Sequence, residues 1–227
     1  MHTLENLVDN EVEISETSDS LTVTQGNCSA TREVQESAMK IILFDAMEIV
    51  NSLKKTPEIE TCADFGNAFI RKLISMSSGY DEVHLIFDRY LENSLKTQTR
   101  QGRNKNLKST YYHVSDSTLI KNISLKEFLA DTRTKAELCE YLSKKALIIS
   151  RGPDYKLKRF FVTYNTITEG NVFVNPNLRN HNHEEADTLL ILHASSLDLS
   201  SYVVVHSPDT DVLLLLISLY DHLSNNI

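Results

Sequence analysis

The chain has 227 residues, of which 41% are hydrophobic, enough for one α/β domain with a buried core, and this excludes a protein disordered throughout. Its longest apolar runs fall well short of the ~20 residues that span a bilayer, and no secretory signal is recognisable at its start, so we expect no membrane partner. The formal charge is −8, but the first 38 residues hold eight acidic side chains against Arg32 alone. The rest of the chain is near neutral and can bind a polyanion locally.

Residues 1–38 are polar and rich in Ser and Thr, with no sustained hydrophobic period. We therefore predict a flexible, disordered acidic leader over 1–38 and a folded domain over 39–227. The three cysteines, Cys28, Cys62 and Cys139, are widely separated, a pattern that indicates neither a disulfide framework nor a CxxC zinc site. Their spacing favours a reducing, intracellular compartment, either nucleus or cytoplasm.

The folded part is predicted to contain two early strands, each an apolar run that ends in an aspartate. The first covers 39–45 and the second covers 81–88. Between them, hydrophobic residues recur at three- and four-residue intervals over 46–55 and again over 64–77, which predicts two helices. Alternation of strands and helices is typical of a parallel sheet.

The middle of the chain is predicted from shorter signals. Residues 125–145 have the spacing of two helices, and the apolar run 146–149 predicts a short buried strand. Residues 160–168 and 172–174 are predicted to form a hairpin, with its turn at Glu169-Gly170-Asn171.

The last part of the chain carries the densest chemical signal. A helix is predicted to open at His181-Asn-His-Glu-Glu-Ala-Asp-Thr188, where acids in the first turn suit the helix dipole. A strand over 202–205 follows, then Asp209 and Asp211, then an apolar helix from Val212. Open α/β sheets place their sites at the carboxyl ends of such strands.

Acidic residues recur at these predicted strand ends and at the start of one helix. Because parallel strands end at the same edge of a sheet, we expect six carboxylates to converge there. They are Asp45, Asp88, Glu185, Asp187, Asp209 and Asp211, with Glu184 as an alternate. Such carboxylates repel one another unless a cation lies between them, and hard oxygen ligands select Mg²⁺ or Mn²⁺. One or two such ions can activate water for phosphodiester hydrolysis.

Four segments resemble the PIN-like nuclease superfamily, and within it the flap endonuclease and bacterial 5′-nuclease branch. They are Ile41-Ile-Leu-Phe-Asp-Ala46, Leu85-Ile-Phe-Asp88, Glu185-Ala-Asp187 and Ser207-Pro-Asp-Thr-Asp-Val212. The resemblance implies a PIN-like, Rossmann-like α/β fold with a central, mostly parallel sheet flanked by helices. It implies that the six acids are catalytic metal ligands of a divalent-metal-dependent nuclease acting on DNA or RNA.

The resemblance also implies a basic arch after the second acidic strand. The matching stretch has no acid between Glu92 and Asp116, and its cations are expected to bind the nucleic-acid backbone electrostatically. Together with the preceding arginine they are Arg89, Lys96, Arg100, Arg103, Lys105 and Lys108. In that branch a further acidic strand end and a helical DNA clamp follow the D-x-D segment, so we expect the nuclease domain to be incomplete at Ile227.

Two other functions stay open. A catalytically inactive PIN-like protein that binds nucleic acid or acts as a scaffold would share the fold. A phosphatase of the haloacid dehalogenase type is suggested by Asp209-Thr-Asp211 after an apolar strand, and it would use Asp209 alone as the nucleophile. His181 and His183 lack a nearby Cys or third His to complete a zinc site, so we interpret them as loop residues or as residues that orient Glu185.

Overall fold

The computed structural model describes residues 13–17, 20–25, 38–90, 109–152, 159–198 and 200–220. Its strands are β1 (Glu13–Thr17), β2 (Ser20–Gln25), β3 (Lys40–Asp45), β4 (Glu82–Ile86), β5 (Arg159–Tyr164), β6 (Ile167–Gly170) and β7 (Tyr202–Ser207). Its helices are α1 (Ala46–Asn51), α2 (Cys62–Met76), α3 (Leu125–Phe128), α4 (Thr132–Ser150), α5 (Pro176–Arg179), α6 (Ala186–Ser195) and α7 (Thr210–Ser218). Within these ranges, no helix combines the length and apolarity needed to cross a membrane.

The strands form one sheet in the order β1-β2-β7-β3-β4-β5-β6. The strands β7, β3, β4 and β5 run parallel, and β6 pairs antiparallel with β5 at one edge. The prediction of an α/β protein with a mostly parallel sheet flanked by helices is confirmed by this arrangement.

At the other edge, β2 pairs antiparallel with β7, and β1 pairs antiparallel with β2. Both strands lie within residues 1–38, which the sequence predicts to be a flexible leader, so the structure differs from that prediction over 13–17 and 20–25. The partner of β2 is almost two hundred positions away along the chain, and the local sequence does not identify that partner. The remainder of the predicted leader, up to residue 37, lies outside the described residues.

Helices cover both faces of the sheet because the side chains of the central strands alternate between two apolar cores. In β3, Ile42 and Phe44 pack in the core formed with α1, α2 and α4. Ile41 and Leu43 pack in the core formed with α6 and α7. A strand buried on both faces requires the continuous hydrophobic run that the sequence shows here. Asp45 continues the side of the strand that faces α6.

The apolar run 146–149 was predicted as a short strand, and that prediction is wrong. These residues lie in the last turns of helix α4, Thr132–Ser150. Ala146 and Leu147 are buried there, whereas Ile148 is 70% exposed, as the rotation of a helix requires. Four apolar residues in a row do not distinguish a buried strand from a helix segment.

A hairpin forms in this region, but it is not the predicted one: residues 172–174 are not a strand, and the turn is not at Glu169-Gly170-Asn171. The strands β5 and β6 are joined by Asn165 and Thr166, and Asn165 adopts a positive φ of 53° that asparagine tolerates well. Gly170 instead ends β6, where an added Cβ would lie 2.9 Å from the carbonyl oxygen of Phe160. The glycine therefore permits a close backbone approach and does not form the turn.

Candidate functional site

Three acidic residues follow neighbouring parallel strands at the same edge of the sheet. Asp45 ends β3, Asp88 comes two residues after β4, and Asp209 comes two residues after β7. The register pairs Asp45 with Ile86 at the end of β4, so these two strands end level. Because β3 lies between β7 and β4, Asp45 occupies the centre of this edge.

Asp45 is the N-cap of helix α1 and is at the same time a half-buried acid. Its Oδ1 accepts hydrogen bonds from the backbone N–H groups of Met47 at 2.9 Å and Glu48 at 3.4 Å. Burial, followed by repulsion from Asp88 and then Asp187, raises the pKa of Asp45 to about 7, although the two backbone hydrogen bonds oppose this shift. The three carboxyl groups therefore interact electrostatically.

Asp88 connects the end of β4 to the start of helix α6. Its Oδ1 accepts a hydrogen bond from the backbone N–H of Ala186 at 2.8 Å, and its Oδ2 accepts one from the hydroxyl of Tyr90 at 3.3 Å. Burial is the main cause that raises the pKa of Tyr90, so its hydroxyl stays protonated and donates. The first N–H of α6, which has no partner inside the helix, is thus satisfied by a strand-end carboxylate.

Glu185 and Asp187 stand at the first turn of α6. The helix begins at Ala186 rather than at His181, with Glu185 as its N-cap residue and Asp187 as the acid of its first turn. This position suits negative charge, and it brings Asp187 close enough to raise the pKa of Asp45. Glu184, the alternate, is exposed.

Asp209 and Asp211 lie at the same edge, on the other side of β3. Asp209 is the N-cap of helix α7, and its Oδ1 accepts the backbone N–H of Asp211 at 2.9 Å. The backbone N–H of Asp209 in turn donates to the Ser207 hydroxyl at 3.2 Å. Both aspartates are exposed to solvent, whereas Asp45 is largely covered.

The six predicted ligands are of the chemical type that binds a hard divalent cation, but in the described structure they are not spaced as a metal site requires. All six predicted ligands offer carboxylate oxygens, the ligands that Mg²⁺ and Mn²⁺ prefer. Among the residues that the structure describes, however, no three Asp, Glu, His or Cys side chains lie together in a group that could hold a metal ion. The arrangement is a set of acids at one edge, with several of their oxygens engaged by backbone N–H groups.

The contact of Glu48 with His206 was not predicted from the sequence. Glu48 Oε2 lies 2.5 Å from His206 Nδ1, and both side chains are largely buried, next to the Asp45 cap. The ring of His206 also packs against Phe44, with the two centroids 5.5 Å apart. The available signal was the position of Glu48 in the turn after an aspartate, and that pattern alone is typical of an ordinary helix start.

A cation from helix α4 also approaches this edge. The Lys135 ammonium lies 5.5 Å from the centre of the Tyr90 ring, and Tyr90 is the residue whose hydroxyl donates to Asp88. Burial, followed by the charge of Asp88, raises the pKa of the Cys139 thiol, and the nearby charge of Lys135 opposes this shift. Lys135 is 47 positions from Asp88 in sequence, so no motif connects them.

The basic stretch predicted to bind nucleic acid falls mostly outside the described residues. This applies to Lys96, Arg100, Arg103, Lys105 and Lys108. Arg89 is described and is half-buried at the same edge as the acids.

Comparison of the chain with family models, curated proteins and solved structures gave no match.

Proposed function

We propose that the protein is a divalent-metal-dependent nuclease of the PIN-like kind that hydrolyses phosphodiester bonds in DNA or RNA. The observation that carries the proposal is the interaction of Asp45 with Asp88 and Asp187 at the carboxyl edge of parallel strands. These acids come from two strand ends and a helix start that are far apart in sequence.

A structural role gives no reason to collect these charges. Asparagine would cap α1 as well as Asp45 does, without burying a charge beside two other acids. A pKa near 7 means that this carboxyl group is disfavoured as an anion at neutral pH. A divalent cation would relieve that repulsion, so the arrangement is better explained by an ion that binds there than by stability of the fold.

In this proposal Asp45, Asp88 and Asp187 hold the cation, and Glu185, Asp209 and Asp211 complete its surroundings. Such an ion, when bound, supplies Lewis acidity for water attack on phosphorus and for departure of the 3′ oxygen. Two groups of the chain also contribute: the Tyr90 hydroxyl orients Asp88, and the ammonium of Lys135 adds positive charge near Tyr90 and Asp88. The basic residues 96–108 would hold the nucleic-acid backbone.

A catalytically inactive nucleic-acid-binding protein or scaffold is the second candidate. Two observations favour it: the described acids do not form a three-ligand group, and Asp45, Asp88 and Asp209 already accept backbone hydrogen bonds. A phosphatase is less well supported, because it would single out Asp209, which here is an exposed helix cap.

Cleavage of labelled single-stranded and flap-containing DNA and RNA, with Mg²⁺ or Mn²⁺ and with EDTA, tests the proposal. We expect metal-dependent cleavage that is lost in Asp45→Asn, Asp187→Asn and Asp209→Asn. Asp198→Asn is the matched control, because it removes one charge from an exposed residue after helix α6, away from this edge. No cleavage by the wild type, together with nucleic-acid binding that does not respond to metal, would support the inactive candidate.

A further inference from the structure

We propose that Arg89, His181 and His183 form a binding site for a phosphate group of a nucleic-acid strand, beside the acidic edge. The identity of the ligand as nucleic acid rests on the proposed function. The three residues come from two segments, the chain that leaves β4 and the chain that leads into α6, and these segments are hydrogen-bonded to each other.

The backbone fixes Arg89 against the segment that precedes α6. The backbone N–H of Arg89 donates to the carbonyl oxygen of Glu184 at 2.8 Å, and its guanidinium donates to Asn182 Oδ1 at 3.3 Å. A neutral amide is thus the partner of this guanidinium, and within the described residues no carboxylate forms an ion pair with it. A half-buried arginine with most of its donors uncommitted is suited to bind an anion.

Among the described residues, the acid that precedes Arg89 does not form an ion pair with it. Both oxygens of Asp88 are engaged elsewhere, by the backbone N–H of Ala186 and by the hydroxyl of Tyr90. The guanidinium of Arg89 therefore stays available to an anion, while Asp88 keeps its own negative charge.

The two histidines belong to the same site. The ring centroids of His181 and His183 are 6.3 Å apart, and the backbone N–H of His181 donates to Thr166 O at 3.0 Å, which holds this segment to the β5–β6 turn. Burial, followed by the charges of His183 and Arg89, lowers the pKa of His181. Both ring nitrogens of His181 are buried, so this ring, neutral at neutral pH, packs at the back of the site, and the exposed His183 is the histidine that can donate an N–H to a phosphate.

The surrounding sequence favours phosphate as the ligand and not a carboxylate-rich surface of a partner protein. No acidic residue occurs from Asn171 to His183, so this segment would not repel a polyanionic strand. Guanidinium groups bind phosphate oxygens in a bidentate manner, and imidazole N–H groups complement them. A phosphate held by Arg89 would lie directly beside Asp88, which is where a strand must pass to reach the acidic edge.

This site can be tested without cleavage by measuring the binding of a single-stranded oligonucleotide labelled at its 3′ end. Fluorescence anisotropy in EDTA reports the binding. We expect Arg89→Gln to weaken binding about tenfold and to reduce the salt dependence by about one ion. His183→Gln should weaken binding less, and because His183 is exposed this variant should fold normally. Arg71→Gln, which removes an exposed arginine from α2 on the other face of the sheet, is the matched control and should bind like wild type.

Oligonucleotides with and without a 5′-phosphate distinguish the two sources of the phosphate. A preference for the phosphorylated end that Arg89→Gln abolishes would assign the site to a terminal phosphate, whereas equal weakening of both would assign it to an internal phosphodiester. The proposal is overturned if Arg89→Gln and His183→Gln bind both oligonucleotides as tightly as wild type with the same salt dependence. Metal-dependent cleavage is a separate readout: its absence would refute the proposed function and leave this binding result standing.

Discussion

Asp45 caps helix α1 and also places a buried carboxyl group beside Asp88 and Asp187. The first role stabilises the fold, and asparagine can perform it equally well. The second role destabilises the fold whenever the carboxyl group is ionised without a cation. A residue that serves stability alone would not carry this conflict, so Asp45 is where function and stability can be separated experimentally.

We expect Asp45→Asn to raise the melting temperature of the metal-free protein by more at about pH 8 than at about pH 5. The pKa of Asp45 is raised to about 7 in the folded state from 3.8, so its favourable contribution is fully present below 3.8 and is lost progressively as the pH rises from there through 7. The shift corresponds to an upper bound on the order of 4 kcal/mol.

Thermal unfolding in EDTA at the two pH values measures this effect, with Asp198→Asn as the control for removal of an exposed charge. Added Mg²⁺ should stabilise the wild type but not Asp45→Asn. A variant that is less stable than wild type at both pH values would show that the charge of Asp45 is compensated within the protein itself.

A second residue-scale feature is a buried polar chain that was not predicted. Arg159 Nε contacts Glu82 Oε2 at 2.8 Å, and Glu82 Oε1 contacts His84 Nε2 at 2.6 Å. His84 Nδ1 contacts His193 Nδ1 at 2.6 Å, and His193 Nε2 contacts the Thr163 hydroxyl at 3.0 Å. His84 and His193 are 109 positions apart, and a single histidine within an apolar run gives no sign of a distant partner.

The fold should lose stability in acid through His193. Burial, followed by the charges of His84 and His181, lowers its pKa well below 6.5. A lowered histidine pKa contributes stability that is present above 6.5 and is lost as the pH falls, which is opposite in direction to the Asp45 effect. We expect His193→Gln, which can still hydrogen-bond to Thr163, to be less stable at neutral pH but to lose less on acidification, by about 1 kcal/mol per pH unit.

Urea unfolding at about pH 7 and about pH 5 compares the two proteins. Since Asp45 is present in both, the difference between their pH dependences isolates the histidine. Equal losses on acidification would mean that His193 is not kept neutral by the fold. His113→Gln is a suitable control, because this histidine is exposed.

At the scale of elements, helices and strands were predicted correctly where the hydrophobic segment in the sequence is long. Helix α2 follows from a long run with a clear period, and strands β3 and β4 follow from continuous apolar runs that carry or adjoin two of the predicted acids. The prediction of a strand over 146–149 was wrong because four residues are too few to show a hydrophobic period. The prediction of the hairpin turn was wrong because a glycine next to an asparagine was a stronger local signal than Asn165. Helix α6 was placed correctly in sequence, but its start at Ala186 depends on Asp88, which is distant along the chain.

The helical assignment of residues 146–149 predicts unequal effects at two adjacent positions. Leu147 is buried and Ile148 is 70% exposed, so Leu147→Ala should destabilise by about 2–5 kcal/mol, whereas Ile148→Gln should stay within about 0.5 kcal/mol of wild type. Denaturant unfolding measures both. A strand buried on both faces would make the two substitutions similarly costly, so comparable losses would contradict the helix.

At the scale of the whole molecule, the fold class could be predicted because alternating strands and helices have few ways to pack. The location of the site at the carboxyl edge follows from that fold class. The class therefore predicts which acids lie at the same edge of the sheet before any side-chain contact is known. The extension of the sheet by β1 and β2 was not predicted, because their segment is polar and acidic overall and its alternating apolar residues, Val12 and Ile14 and then Leu21 and Val23, cover only two short stretches. Its order comes from backbone pairing with β7 and not from its own composition.

This pairing can be tested with a proline in β2. The strand lies between β1 and β7, so every N–H of β2 points toward one of two neighbours, and proline at Val23, which pairs with Val205, must remove a ladder hydrogen bond. We expect Val23→Pro to increase hydrogen exchange across 202–207 and 13–25, and to leave β4 in the centre of the sheet unchanged. Asn10→Pro, three residues before β1 in the same acidic segment, is the control and should have no effect on β7. If residues 13–25 are instead part of a flexible leader, their amides will exchange rapidly in the wild type and the two proline variants will behave alike.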